Sequence, residues 1–385
     1  MRGRSFSVGF ALLVSLTASA ALPSAGWNTK EIEALEKCPC DKPSLCLPVR
    51  RTPSFEVFAF SPSKGTNWRY YDYDTLTTIA WNLDKELLCH AHAHDVKIVI
   101  GHNFDDVSQL CNPTARQAWI NETYDKIVEN YADGVNIDTE AGMSGQVAKC
   151  QTLLVQELRA RLSASKFTEY AQISFDIPWS PHGIDQRYYD WKGLADAADL
   201  LFVMSYDMRS QIYYQCIAGA NSPLALVDKG LEEYIVGYDI PPSKLVLGLP
   251  WYAYVYPCES LADDICHIQA VPFRGAPCSD AAGRQIDYAD VQKLLADAKN
   301  PVEQHWENIS ATPFLTVNGT TQVWYDNDRS LGLKYDLAKQ RRLLGVGMWH
   351  VDALDYLGKE HPVIATAKMW QTLRQAVPTP RMAYH

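Results

Sequence analysis

The sequence predicts an α/β fold, a (β/α)8 TIM barrel, on three observations. Eight short β-rich apolar runs punctuate the chain, helical patterns lie between several of them, and acids and aromatics collect where the later runs end. The length agrees. At 385 residues the chain exceeds the roughly 250 of a bare barrel and leaves room for insertions. Hydrophobic residues make up 47% and charged residues 21%, a globular balance that excludes a disordered chain.

The expected strands are Phe55–Phe60, Thr77–Asn82, Lys97–Asn103, Gly134–Glu140, Tyr170–Ile177, Leu200–Asp207, Lys244–Trp251 and Gly345–Val351. A helix is expected over Ser144–Leu162, where Val147, Cys150, Leu154, Leu158 and Leu162 recur at helical spacing. Another, Val363–Ala376, closes the chain. Between Trp251 and Gly345 about ninety residues break the alternation, too many for a loop without structure of its own. We therefore expect an inserted subdomain at about residues 253–328, then a helix near Ser330–Leu343.

The chain begins with Arg2 and Arg4, a short apolar run from Phe10 to Leu16, and small residues at Ala18, Ser19 and Ala20. This predicts a signal peptide over residues 1–20. The run is too short for a bilayer, which needs about 20 residues, so no membrane partner is expected. Residues 21–53 form a Cys- and Pro-rich segment, and residues 54–385 hold the barrel. The net charge of −10 repels phosphate backbones and argues against nucleic acid as a partner.

Ten cysteines behind a signal peptide predict disulfides, with the pairing left open. Cys38-Pro39-Cys40 with Cys46 lacks the second matched pair of a zinc site. Three sequons start at Asn121, Asn308 and Asn318 and predict glycosylation there. His90, His92 and His94 alternate with alanine. They are expected to close a helix, where imidazolium suits the helix dipole, rather than to hold a metal. No metal or organic cofactor is expected.

The chemistry concentrates in Asp133-Gly134-Val135-Asn136-Ile137-Asp138-Thr139-Glu140. On a strand, Val135, Ile137 and Thr139 would face the helices, and Asn136, Asp138 and Glu140 the barrel interior. Asp138 and Glu140 would then stand about 6–7 Å apart near the C-terminal end, where barrel active sites form. Inward acids are costly unless they are paired or used. Ser174 and Asp176, Met204 to Asp207, Trp251 and Tyr252, and Trp349 end neighbouring strands. Together they suit a sugar: apolar faces for the ring and hydrogen-bonding groups for its substituents.

These segments resemble family 18 of the glycoside hydrolases, the chitinase family. Asp133 to Glu140 is similar to its D-x-x-D-x-D-x-E signature, Met204-Ser205-Tyr206-Asp207 to its M-x-Y-D motif, and Trp349 to its floor tryptophan. The long insertion resembles the family's α+β insertion, and the resemblance covers essentially the whole mature chain. One departure is Asn136, where most members carry an acid. Phe175 to Pro181, Val271 to Asp280, Gln322 to Asn327 and the Cys38-Pro39-Cys40 start resemble a lysosomal branch of the family.

The resemblance implies hydrolysis beside N-acetylglucosamine (GlcNAc) with help from the substrate's own acetamide. Glu140 would protonate the leaving oxygen and then activate water. Asp138 would orient the acetamide, and Tyr206 would hydrogen-bond its oxygen. Asn136, Met204, Asp207, Trp251 and Trp349 would contact the sugar. The implied substrates are GlcNAc-containing oligosaccharides, namely the GlcNAcβ1-4GlcNAc core of N-linked glycans in the lysosome. A secreted endo-chitinase and a non-catalytic chitinase-like lectin are the alternatives, and the presence of Glu140 disfavours the lectin. Asn136 would remove a like charge from beside Asp138 and leave Asp138 ionised to lower pH.

Overall fold

The computed structural model describes residues 26–300, 302–358 and 361–378; the predicted leader lies outside them. Seven barrel strands run in order: β1 (Glu56–Phe60), β2 (Thr78–Ala80), β3 (Lys97–Gly101), β4 (Gly134–Ile137), β5 (Gln172–Pro178), β6 (Leu200–Met204) and β7 (Leu245–Pro250). The chain then builds β8 (Tyr252–Pro257), β9 (Ser260–Ala262), β10 (Ile265–His267), β11 (Arg284–Asp287), β12 (Glu303–Glu307), β13 (Thr312–Val317) and β14 (Thr321–Trp324). Finally β15 (Gly345–Trp349) inserts between β1 and β7 and closes an eight-stranded barrel in which the neighbouring strands pair in parallel. The predicted (β/α)8 barrel is the observed one.

Six of the eight strands end earlier than expected, while β1 ends at Phe60 as expected and β5 runs one residue further, to Pro178. β4 stops at Ile137 and β6 at Met204, because the chain there leaves the ladder to form the loops above the barrel. Both faces of the strands are covered, so β5 is buried at every position although it carries Gln172, Ser174 and Asp176. Inside, Phe58, Phe60 and Phe202 pack with ring centroids 5.0–5.4 Å apart. That filling explains the Gly345-Val346-Gly347 run. A Cβ at Gly347 would lie 2.4 Å from the Phe58 carbonyl oxygen and 2.5 Å from the Phe202 ring.

The helices are α1 (Thr29–Glu36), α2 (Lys85–Ala93), α3 (Pro113–Glu129), α4 (Gly145–Ser163), α5 (Trp191–Ala197), α6 (Leu224–Glu232), α7 (Tyr288–Ala296), α8 (Asp328–Gln340) and α9 (His361–Ala376). Local chemistry starts several of them. Asp84 accepts from the amides of Glu86 and Leu87, and Asn327 forms a capping box with Ser330. The insertion between β7 and β15 is a five-stranded antiparallel sheet, order β11-β8-β14-β13-β12, with the β9–β10 ribbon and α7.

At the other end, the segment before β1 lies against the barrel base. Cys38 pairs with Cys46 and Cys40 with Cys89, so these sulfurs are not free thiolates for a metal. His90 and His92 lie in the last turn of α2, and His94 caps it. The three do not converge. His90 and His94 pack against Tyr73, whereas His92 is buried against Asp133, its Nε2 2.9 Å from the carboxylate.

Candidate active site

The C-terminal ends of β4, β5 and β6 assemble the site. Asn136 is fully buried and faces the barrel interior. Its Nδ2 donates to Asp176 Oδ1 at 2.8 Å and to Ser174 Oγ at 3.2 Å, and its Oδ1 accepts from Trp81 Nε1 at 2.8 Å. Beyond the end of β4, the Asp138 amide donates to Asn103 Oδ1 at 2.7 Å. Asp138 Oδ1 is buried without a partner. Burial pushes the Asp138 carboxyl up to about 7; the Glu140 charge adds to this and Arg187 opposes it. Asp176 is also held well above the usual carboxylate range, by burial first and then by Asp138, with the Asn136 amide opposing.

With the amide at 136 in place, Asp138 is still not an ordinary carboxylate, because burial raises it. β4 and β5 pair in parallel with Asn136 opposite Ser174, which sets Asp176 within reach of the Asn136 amide. A carboxylate from the next strand, Asp176, thus stands against the Asn136 amide.

Glu140 departs from its expected inward direction. Its side chain is 55% exposed at the rim, and its Oε2 accepts from Arg187 Nη1 at 2.9 Å. Arg187 itself is buried and also donates through Nη2 to Asp185 Oδ2 at 3.1 Å. On β6 and the loop beyond, Met204 and Tyr206 are buried. Asp207 takes a left-handed backbone with φ of 51°. Its amide donates to Asn221 Oδ1 at 2.7 Å, and its carboxylate accepts from the Tyr252 hydroxyl. Burial lifts Asp207 to about 6 against that hydrogen bond. Glu140, Arg187, Met204, Tyr206, Asp207 and Asp280 share a cavity of about 260 Å³. Trp349, partly exposed, packs on Phe60 and Trp81 with centroids 5.3 and 5.2 Å away.

Trp251 is a correction. It is fully buried on the outside of the barrel, edge-on to Trp370 at 5.3 Å, and its Nε1 meets the Tyr335 hydroxyl at 3.4 Å. Alternation along β7 explains this. Val246 faces the interior while Leu247 and Leu249 face the helices, so Trp251 follows the helix-facing set and Tyr252 turns back toward Asp207. Sequence reasoning also missed Trp81, Arg187 and Asp280. Trp81 directly follows a strand, so the strand-end rule could have found it. The others lie on loops or on the insertion, where no periodicity points at the site.

The family model for glycosyl hydrolases family 18 matches residues 58–353. The chain belongs to this family. It is a family 18 glycoside hydrolase and a glycosidase of the chitin and chitobiose type. It is 39% identical over 344 residues to the di-N-acetylchitobiase of Homo sapiens, covering 88% of each chain. It is 36% identical over 359 residues to the probable di-N-acetylchitobiase 2 of Dictyostelium discoideum, covering 89% of this chain and 91% of the other. A mutant class V chitinase from Nicotiana tobaccum, solved in complex with NAG4, shares the fold of this family 18 chain at 15% identity. Its TM-score is 0.67, with 83% of this chain and 98% of the other covered.

Proposed function

We propose that the enzyme hydrolyses the GlcNAcβ1-4GlcNAc core of N-linked oligosaccharides, with retention, using the substrate's acetamide as nucleophile. The observation that carries this reading is Asp138: a half-buried carboxylate whose buried Oδ1 has no partner, beside Glu140 at the mouth of the barrel. The acetamide oxygen attacks the anomeric carbon while Glu140 delivers its proton to the leaving oxygen. The resulting oxazolinium ion is positive. Asp138 orients the acetamide N–H and stabilises that charge, which in turn favours its anion. Tyr206 donates to the acetamide oxygen. Glu140 then takes a proton from the water that opens the ring.

Met204, Asp207 and Trp349 hold the sugar, while Asn136 acts through Asp176. The names of the relatives support chitobiose as substrate. The acid-poised carboxyls and the predicted leader support a lysosomal setting reached through the secretory pathway. Asn121 on α3, Asn308 in the β12–β13 turn and Asn318 in the β13–β14 turn are suited to carry glycans. The test compares chitobiose with cellobiose, its 2-hydroxyl counterpart. Rapid cleavage of the first and none of the second is expected; equal cleavage of both would overturn substrate assistance.

A further inference from the structure

We infer that Arg187 is a positioning residue for the proton donor: it holds the Glu140 carboxyl in place at the barrel rim and takes the side chain back after each proton is delivered. The inference rests on the glycosidase reading above for its kinetic part.

The geometry is specific. Beyond β4 the chain has left the ladder, so no strand pairing fixes Glu140. The β5–α5 loop does so instead. The Tyr189 hydroxyl sits 2.6 Å from both the Thr139 and Ala141 carbonyl oxygens, bracketing Glu140. Met143 and Arg187 form a parallel bridge. A Cβ at Gly142 would meet Gln186 Cβ at 3.1 Å and the Asp185 carbonyl oxygen at 3.3 Å, so the two loops are in close contact. Arg187 is only 4% exposed, and its guanidinium spans Glu140 and Asp185.

Asp185 and Gln186 both adopt left-handed backbones, with φ of 53° and 64°. Two consecutive non-glycine residues in that region are costly, and such strain gathers at working sites. The loop is also tied to the loop beyond β6 and to the insertion. The Asp185 amide donates to Gln211 Oε1 at 3.3 Å, and the Asp185 carbonyl accepts from Arg274 Nη1. Asp185 is therefore held on both sides.

The charges give the arrangement its purpose. Asp138, Asp176, Asp207 and Asp280 share the neighbourhood of Glu140, together with the neutral Tyr189 and Tyr206. When Glu140 gives its proton to the leaving oxygen, a new anion forms beside those acids. The Arg187 guanidinium stands against that carboxylate and compensates the charge that the transfer to the leaving oxygen creates.

The experiment uses the full chain with Arg187→Gln and Arg187→Lys. Two substrates are compared: chitobiose, and 4-nitrophenyl β-N-acetylglucosaminide, whose leaving group needs little protonation. Arg187→Gln should lower kcat on chitobiose by about tenfold or more and barely change it on the aryl glycoside. Arg187→Lys should recover most of the chitobiose rate. Equal losses on both substrates, or no rescue by lysine, would overturn the inference. Failure of the wild type to cleave chitobiose would instead strike the functional reading.

Discussion

Asp133 and Asp138 open and nearly close one motif, the first buried and the second half-buried, and their surroundings are opposite. Asp133 sits at the base of the barrel with its oxygens engaged. Oδ1 accepts from the Val49 amide at 2.7 Å; Oδ2 accepts from the Ile98 amide at 2.7 Å and faces His92 Nε2 at 2.9 Å. His92 Nδ1 in turn faces the Leu45 carbonyl oxygen at 2.7 Å, so both ring nitrogens point at acceptors and the imidazolium is favoured. Asp138, at the other end of the strand, keeps one oxygen without a partner. A buried carboxylate with both oxygens engaged is structure. One held short of satisfaction is kept in reserve for something that is not yet there.

The sharpest break of that comparison is to remove each acid in turn. Asp138→Asn should cost roughly 10²–10⁴-fold in turnover of chitobiose, with a melting temperature unchanged or higher, since a desolvated charge is lost. Turnover near wild type would place Asp138 with Asp133. Glu140→Gln should fall at least as far while still binding the sugar, as isothermal titration calorimetry would show.

Asp133→Asn should do the reverse. It breaks a buried pair and leaves His92 without its anion, which costs on the order of 3–5 kcal/mol of stability in denaturant melts. Turnover per folded molecule should survive. A variant as stable as wild type would deny the base its structural role.

The pH dependence of stability comes next. Asp133 and the Leu45 carbonyl raise the His92 value over the opposing burial, so its contribution is complete below about 6.5 and fades as pH rises through the folded value. Asp138, raised to about 7 by burial, gives a contribution present below about 3.8 that is lost as pH climbs through about 7. Both signs agree. The melting temperature should be higher near pH 5 than near pH 8, and His92→Gln should flatten part of that slope. A wild type that melts higher at alkaline pH would refute the assignment.

The smallest effect is expected for Asn136→Asp. A new acid beside Asp176 should move the acidic limb of the pH–rate profile toward neutral, by less than about one unit because Asp176 already supplies a carboxylate. No movement, or movement to lower pH, would mean that the 136 side chain serves packing alone.

Much of this was legible in the residues. The period of two along Gly134 to Ile137 set Asn136 inward, and strand-end clustering drew Asp138, Tyr206 and Asp207 into one place. The same period misled at Trp251 because the interior set of β7 is Val246 and the near-invisible Gly248, and a shift of one residue exchanges the faces. The influence of Asp176 depends on the register of β4 against β5, which pairs Asn136 with Ser174 and which no single strand encodes. Arg187 stands on an irregular loop, where contact is decided by tertiary approach and not by spacing.

The cysteines have a consequence for how the chain is made. Cys38–Cys46, Cys40–Cys89 and Cys111–Cys150 lie within the first part of the chain, and Cys216–Cys278 and Cys258–Cys266 within the second. Among the described residues no bridge joins the two parts. The first three can form while the later strands are still being synthesised, without waiting for β15 to arrive beside β1. Oxidation of the nascent chain can thus run ahead of barrel closure, and closure itself remains a non-covalent event that depends on the last strand out of the ribosome.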